Sequence, residues 1–516
     1  MAIKRYKADA DTTIVNAFQP GLKTRGTGAN MGEADVSEVF SIYGRQTTSS
    51  QELSRVLTKF PITSISTDRT NSVIPASGSV SFYLRLFNAE HSKTVPISYT
   101  IVVKPVAQSW QEGVGLDLEG YKDLTKGNTG ANWMSASSNT SWTGSSYTTD
   151  DCVGGSYRTG ALDPNFKASF STGLEDLEID ITPLVEHWMA ATIPNYGIGV
   201  YLSSSYEARA TVADNTANGA VLPLTGGATK SYYTKRFFAR GTQYFFKRPV
   251  IEARWNSTVK DDRGDFYYSS SLAPAADNLN VIYLYNYVRG RLTNIPSIGT
   301  TGSILVSLYS GSSDNSAPSG SKLALYDGNT NITGGYKSTG IYTASMAITA
   351  AATPLTTLYD VWHSGSTEYF TGSITPVVLS AAQAVAAPTY YMNITNIKGK
   401  YRSDETARFN LYIRDKNWSP TIYTVANATP ESTTILSASY RVFRIMDGLD
   451  AIPYGTGSDL HTQMSYDVSG NYFDFDMNLL QSGYAYAFKF AFYDSALSSW
   501  VEQPEVFKFR VEDYEY

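Results

Sequence analysis

The sequence predicts an all-β protein, and three observations carry the prediction. Apolar and polar residues alternate along many short runs, as in Val80–Phe87 (V-S-F-Y-L-R-L-F), which is the period of a half-buried strand. The chain holds 38 Tyr, a residue that favours pleated surfaces, and 40 Gly among many Ser, Thr and Asn, which supply frequent tight turns. No long segment keeps a helical period. At 516 residues the chain exceeds what one core can bury. It is read as three domains: 1–259, a jelly-roll-like β-sandwich with one short lid helix, then 260–387 and 388–516, two immunoglobulin-like β-sandwiches.

In the first domain Thr12–Ala17 is an opening strand, followed by a glycine-rich loop from Gly21 to Gly32. Phe40–Tyr43 and Ser54–Phe60 read as strands, the second stopped by Pro61. Val80–Phe87 and Ile97–Val103 follow. Trp110-Gln111-Glu112-Gly113 then opens a polar loop to about Arg158, long enough to be a contact surface or an ordered arm. After Ala168–Phe170 and Glu175–Ile181 comes the predicted lid. Thr182 is its N-cap, Pro183 takes the first helical position, and Leu184, Val185 and Trp188 share one face. Pro194 and Gly197 end it, and Ile198, Val200 and Leu202 begin another alternating run. Lys235–Arg240 and Tyr244–Trp255 close the domain.

Lys260–Phe266 (K-D-D-R-G-D-F) reads as a charged linker. The second domain is expected to contain strands at Asn280–Tyr287, Ile304–Tyr309, Lys322–Tyr326, Gly340–Ile348, Thr357–Trp362 and Glu368–Ile374. An Ala-rich joint leads to the third, with strands at Tyr390–Ile394, Thr406–Arg414, Ser437–Ile445, Tyr472–Asp476, Tyr484–Phe492 and Glu505–Val511. Short parallels, such as Gly340-Ile341-Tyr342 with Gly470-Asn471-Tyr472, favour a tandem pair.

Several functions are disfavoured. A net charge of -6 argues against general nucleic-acid binding. One cysteine, Cys152, and four scattered histidines give neither a disulfide framework nor metal-ligand spacing. The first residues carry no apolar signal segment, and no run is long enough for a membrane span. Thr225–Ser231 (T-G-G-A-T-K-S) lacks the glycines of a phosphate loop and reads as a hairpin turn. Asp117, Glu119, Asp123, Asp150 and Asp151 are loop acids, able in principle to serve as paired catalytic carboxylates or calcium ligands, and are expected to be solvated charge. Arg263-Gly264-Asp265 is a common tripeptide in a charged linker. No enzyme activity, cofactor or metal is expected.

The order D-T-T-I-V (Asp11–Val15), S-R-V-L-T-K-F-P-I (Ser54–Ile62), S-F-Y-L-R-L-F (Ser81–Phe87), Trp110–Gly113, I-D-I-T-P-L-V-E-H-W (Ile179–Trp188), N-Y-G-I-G-V-Y-L (Asn195–Leu202) and K-R-P-V-I-E-A-R-W (Lys247–Trp255) resembles the DNRLRE β-sandwich modules of microbial surface and secreted proteins. That resemblance implies a buried Arg-bearing strand, a Trp turn, a helical lid and a closing strand. Lys235–Trp255 and the continuation to Asn280 are similar to virion structural proteins of tailed, marine-type bacteriophages. This implies a non-enzymatic structural protein of the virion, assembled in the host cytoplasm into a symmetric homo-oligomer with other virion proteins. Its expected place is the neck, collar, tail or baseplate, with capsid decoration or a fibre as alternatives. Phe245 and Phe246, and the tail Glu512–Tyr516, are the expected protein contacts. Trp110, Trp133, Trp142 and Tyr147 could form a platform that stacks on a host surface glycan, making the chain a carbohydrate-binding adhesin; alternatively Trp110 caps the core and Trp133, Trp142 and Tyr147 pack against the loop or a neighbouring subunit.

Overall fold

A computed structural model describes residues 2–17, 26, 28–45, 49–91, 97–116, 130–138, 140–143, 154–160, 165–209, 226–269, 274–310, 320–348, 355–377, 389–422 and 431–513. The protein is mostly β, with several antiparallel sheets and two α-helices among the described residues. It forms two compact units, Ala2–Asn256 with Asp459–His461, and Ser257–Ser458 with Thr462–Tyr516.

The first unit opens with β1 (Ile3–Lys7), β2 (Ala10–Val15), β3 (Val36–Arg45), β4 (Ser49–Lys59), α1 (Ile62–Thr70), β5 (Ser81–Leu86) and β6 (Tyr99–Pro105). Two short strands, β7 (Ser135–Ser137) and β8 (Thr140–Ser141), precede β9 (Phe166–Phe170), β10 (Leu177–Asp180), α2 (Thr182–Met189) and β11 (Ile198–Leu202). It ends with β12 (Ala208–Arg209), β13 (Gly226–Gly227), β14 (Tyr232–Phe238) and β15 (Val250–Arg254). One sheet has the order β1-β15-β5-β10, the other β14-β3-β4-β11-β6-β9, with β2 also on β4. Strand alternation aims Phe82, Leu84, Leu86, Ile251 and Ala253 of the first sheet into one core with Val56, Ile101, Val103 and Val200 of the second.

The lid differs from the expectation in two ways. It has two helices, not one. The α1 sequence I-T-S-I-S-T-D-R-T is rich in residues that disfavour helix, and only Ile62 and Ile65 are buried, so its signal was weak. Tertiary contacts hold it: Arg69 grips Glu186 of α2 through two bonds of 2.7 Å, and Lys4 pairs with Asp68 at 2.8 Å. In α2, Leu184, Val185 and Trp188 are buried as their spacing implied. Thr182 is the first helical residue, however, not the cap. Its hydroxyl accepts the Phe82 N–H at 2.8 Å and donates to Asp180 at 2.6 Å, so strand β5 has taken the group that would have capped the helix.

The outer face of the first sheet carries charge that is not solvated. Glu252 of β15 is 1% exposed and accepts from Arg5 at 2.8 Å, Arg85 at 3.1 Å and Arg254 at 2.7 and 3.0 Å. Arg254 also reaches Glu178 at 2.8 Å. Burial opposes the Glu252 carboxylate, but the three guanidinium groups more than offset this and hold its pKa far below the ordinary range.

The second unit begins with β16 (Asn280–Tyr285), the small hairpin β17 (Tyr287–Val288) and β18 (Arg291–Leu292), then β19 (Ile304–Ser310), β20 (Ile332–Ser338), β21 (Ile341–Met346), β22 (Leu358–Ser364) and β23 (Thr367–Ile374). Six of these form one sheet, β16-β21-β20-β19-β22-β23, folded so that residues such as Ile282, Leu284, Val306 and Leu358 share a core around Trp362 and Tyr342, while Tyr283 and Ile341 belong to a second, smaller cluster with Val259. β20 turns the corner: Ile332–Gly334 pair with β19, and Gly335–Ser338 with β21. A Cβ on Gly334 would lie 2.7 Å from the Thr343 carbonyl, so the close approach requires glycine. This strand was not expected because its I-T-G-G-Y-K-S sequence interrupts the alternation. Lys322–Tyr326, expected as a strand, contributes only a bridge from Lys322 to Tyr309.

Next come β24 (Tyr390–Ile394), β25 (Lys400–Arg402), β26 (Thr406–Asp415), β27 (Ala438–Arg444), β28 (Asp450–Ile452), β29 (Ser465–Asp467), β30 (Gly470–Asp476), β31 (Ala485–Asp494), β32 (Ser499–Glu502) and β33 (Phe507–Glu512). They form two sheets, β24-β26-β30-β29 and β25-β33-β31-β27-β28, with β32 on β31. Aromatic rings fill the space between them: Tyr440 stacks on Phe473 at 4.4 Å, Phe488 on Phe509 at 4.7 Å, and Phe409 meets Phe488 edge-on at 4.8 Å.

Lys260–Phe266, expected as a linker, is built into this unit. Arg263 makes a bidentate pair with the fully buried Asp360 at 2.5 and 2.7 Å, Asp262 accepts from Tyr466 and the Val281 N–H, and Phe266 is buried. The Tyr244–Trp255 run is also interrupted. Phe245–Lys247 is a 3-10 turn, and the strand starts only after Pro249, which cannot donate to a ladder.

Removing the hub of the outer-face network tests its weight. Glu252→Gln leaves three arginines short of a buried counter-charge and is expected to destabilise the first unit by roughly 3–5 kcal/mol, read from chemical denaturation.

Candidate interaction surface

Trp133 and Trp142, in the loop opened by Trp110, do not offer their rings to solvent. β4 buries both faces: Val56 joins the sandwich core, while Leu53 and Leu57 point the other way into a second core. Trp133 and Trp142 fill that second core, at 2% and 6% exposure, with Ile14, Val106, Ala131 and Ala136. Trp110 packs against it and donates to the Tyr196 carbonyl at 2.7 Å, and Trp142 donates to that of Asn132 at 2.9 Å. These two rings therefore give no open face to a sugar, which corrects the stacking platform expected for Trp133 and Trp142. Tyr147 lies outside the described residues, as do the loop acids Asp117, Glu119, Asp123, Asp150 and Asp151.

Two polar groups that sequence reasoning missed hold this loop down. Arg55 of β4 makes a bidentate pair with Glu207 at 2.9 and 3.1 Å, donates to the Gly154 carbonyl, and lies 4.7 Å from the Tyr201 ring centre and 5.4 Å from that of Trp133. Asn30 accepts the N–H groups of Gly32 and Gly115 and donates to the carbonyls of Glu112 and Ala131. A Cβ on Gly115 would sit 1.7 Å from the Asn30 carbonyl oxygen. The only local signal for Arg55 was its alternation with Leu53 and Leu57 on one face of the strand.

Asp11, Glu112 and Arg240 meet at the edge of the same loop. Arg240 grips Glu112 with two bonds of 3.0 Å, its N–H donates to Asp11 Oδ2 at 2.6 Å, and the Asp11 N–H donates to Glu112 at 2.8 Å. Asp11 Oδ1 is buried without a hydrogen-bond partner. Burial pushes this carboxyl up to about 7, with the Glu112 charge adding to the effect and Arg240 opposing it.

Phe245 and Phe246 do reach the surface. They are half-buried, pack edge-to-face at 5.1 Å, and sit on the 3-10 turn beside Tyr244, which is 53% exposed and meets Phe238 at 5.3 Å. Cations lie on and beside this turn. Lys7 Nζ stands 3.7 Å above Phe245, Lys247 Nζ lies 5.4 Å from Phe87, and Arg248 donates to the Thr242 carbonyl at 3.0 Å. The Lys7 ammonium is lowered in pKa by burial and by its neighbours Arg248 and Arg5. Among the described residues no carboxylate pairs with Lys7, Lys247 or Arg248. Rings and unmatched cations together make a surface suited to an anionic, partly apolar partner.

The remaining motifs are engaged in contacts within the chain. Gly226–Gly227 pairs with Ala208–Arg209 as a strand and is not the expected hairpin turn. Arg263 of the Arg-Gly-Asp tripeptide is committed to Asp360. Ser307 Oγ and His363 Nε2 are 2.9 Å apart, but Ser307 is fully buried and the other ring nitrogen faces the Gly365 carbonyl. No group of three or more His, Cys, Asp or Glu is arranged to hold a metal ion among the described residues.

No protein-family model matches the sequence, and no curated protein matches it. Among solved structures the chain is similar to the N-terminal Ig1-2 module of the Drosophila receptor protein tyrosine phosphatase DLAR, at 9% identity over 45% of this chain and 90% of that one, with a TM-score of 0.13. The tandem Ig repeats of Dlar are similar at 10% identity over 42% and 86% of the two chains, with a TM-score of 0.12. Likeness of this size adds nothing to the fold read from the strands.

The Asp11 carboxyl sets a pH dependence. Its folded-state pKa lies above the unfolded value, so its contribution to stability is fully present below about pH 4 and is lost as pH rises through 7. Asp11→Asn removes this titration. The variant is expected to gain on the wild type between pH 5 and 8, on the order of 2–4 kcal/mol at pH 8, followed by thermal melts across that range.

Proposed function

We propose that the chain is a non-enzymatic structural protein of a bacteriophage virion. In this reading a DNRLRE-like sandwich is followed by two immunoglobulin-like sandwiches, and copies join a symmetric assembly at the neck, collar, tail or baseplate. The observation that carries the reading is the Tyr244–Arg248 surface, where the exposed Tyr244 and half-buried Phe245 and Phe246 coincide with cations that have no carboxylate partner among the described residues. Several arginines elsewhere in the first unit are instead spent on internal pairs, such as Arg55–Glu207 and Arg254–Glu252. A surface of that kind is matched to a protein neighbour, and several copies in a ring turn modest single contacts into a firm attachment. The resemblance of Lys235–Asn280 to tailed-phage virion proteins supplies the context.

Mixing the purified chain with isolated particle components tests this. Co-sedimentation with a neck, tail or baseplate fraction is expected. The double variant Phe245→Asp, Phe246→Asp should weaken it at least about tenfold without changing the circular dichroism spectrum. A wild-type chain that stays monomeric and joins no particle component would refute the reading.

A further inference from the structure

Lys235 is a buried lysine without an ion pair. It lies on β14 at 1% exposure, and among the described residues no carboxylate oxygen pairs with its Nζ. Lysine is rarely buried this fully unless paired. Nζ instead points at the side chain of Asn88, with Oδ1 at 2.6 Å, and at the carbonyls of Glu175 and Gly173 at 2.6 and 3.1 Å. The Phe170 and Phe237 ring centres lie 5.0 and 5.1 Å from Nζ.

The backbone holds the two reacting groups in place. Asn88 follows β5 and bridges to Phe237, two residues from Lys235 on the same strand face, and its N–H is fixed by Asp176 Oδ1 at 2.7 Å. Neither group therefore has to search for the other, which is the condition under which two unreactive partners acquire a high effective concentration. Burial lowers the ammonium to about 8, against the pull of Asp176 and Glu175, so the nucleophilic neutral amine is accessible near neutral pH.

We propose that Lys235 and Asn88 are a modification site, joined by an intramolecular isopeptide bond. The neutral Nζ attacks Asn88 Cγ. The Nζ–Cγ bond forms, the Cγ–Nδ2 bond breaks, and Nδ2 departs as ammonia carrying the proton that Nζ gives up. The products are a secondary amide and ammonia, and no oxidant, reductant or cofactor enters the balance. The bond ties β14, at the edge of one sheet, to the segment that runs beside it after β5 of the facing sheet, clamping the two sheets covalently at one edge of the sandwich. This inference does not depend on what the assembled protein binds.

Intact mass of the denatured full-length chain tests it. The wild type is expected about 17 Da below its sequence mass, the mass of one ammonia. A tryptic digest should contain a branched peptide joining the Asn88 and Lys235 segments. Lys235→Arg and Asn88→Ala should each show the full mass of their own sequence. A wild-type chain that keeps its full sequence mass, and yields unlinked Asn88 and Lys235 peptides after prolonged incubation folded at pH 8, overturns the proposal. Lys235 would then be an ammonium held by three oxygen acceptors. The wild-type mass decides this even where a variant fails to fold.

Discussion

Buried guanidinium–carboxylate pairing is the constraint that the rest of this structure depends on. An arginine cannot shed its charge, so one placed inside must meet a carboxylate with its fork matched or the desolvation cost is not recovered. Glu252 satisfies three arginines drawn from β1, β5 and β15, and thereby fixes the spacing of three strands at once. Arg55 with Glu207 fastens the strand β4 to the segment before β12, and Arg263 with Asp360 fastens the start of the second unit to β22. Asp360 also accepts from the buried Trp362 indole at 2.7 Å, so the charge is partnered at a fully buried position.

These pairs explain why a loop rich in tryptophan became interior. β4 presents apolar side chains on both faces, and a strand of that kind must be covered twice. One cover is the opposing sheet. The other is the Trp loop, held by Arg55 on one side and Asn30 on the other. The same arrangement spends Trp133 and Trp142 on packing, whereas at the Tyr244–Arg248 turn aromatic rings and cations without a carboxylate partner come together near the surface.

Much of the strand order was legible from residues. Tyr390–Ile394 matches β24 residue for residue, and Thr406–Arg414 differs from β26 by one. Alternation is local, so it can be read locally. The failures share a cause. α1 has poor helical residues and exists because Arg69 and Asp68 find partners far along the chain. β20 carries two glycines where a sheet turns a corner, a reason that appears only when Thr343 is seen against Gly334. K-D-D-R-G-D-F looked like a solvated linker because nothing in it names Asp360 as the partner of Arg263. Of the five residues singled out for contact, Phe245 and Phe246 reach the surface and Trp133 and Trp142 do not, although all four are equally aromatic in the sequence.

The sequence by itself determined that the chain would be strands and turns, where most strands run, and which face of each is apolar, because a pleat's period is written into neighbouring residues. Only the tertiary structure decided which charges and rings would be inside. Burial of Glu252, Arg55, Lys235 or Trp133 depends on groups tens to hundreds of positions away, and no local pattern records whether those groups arrive.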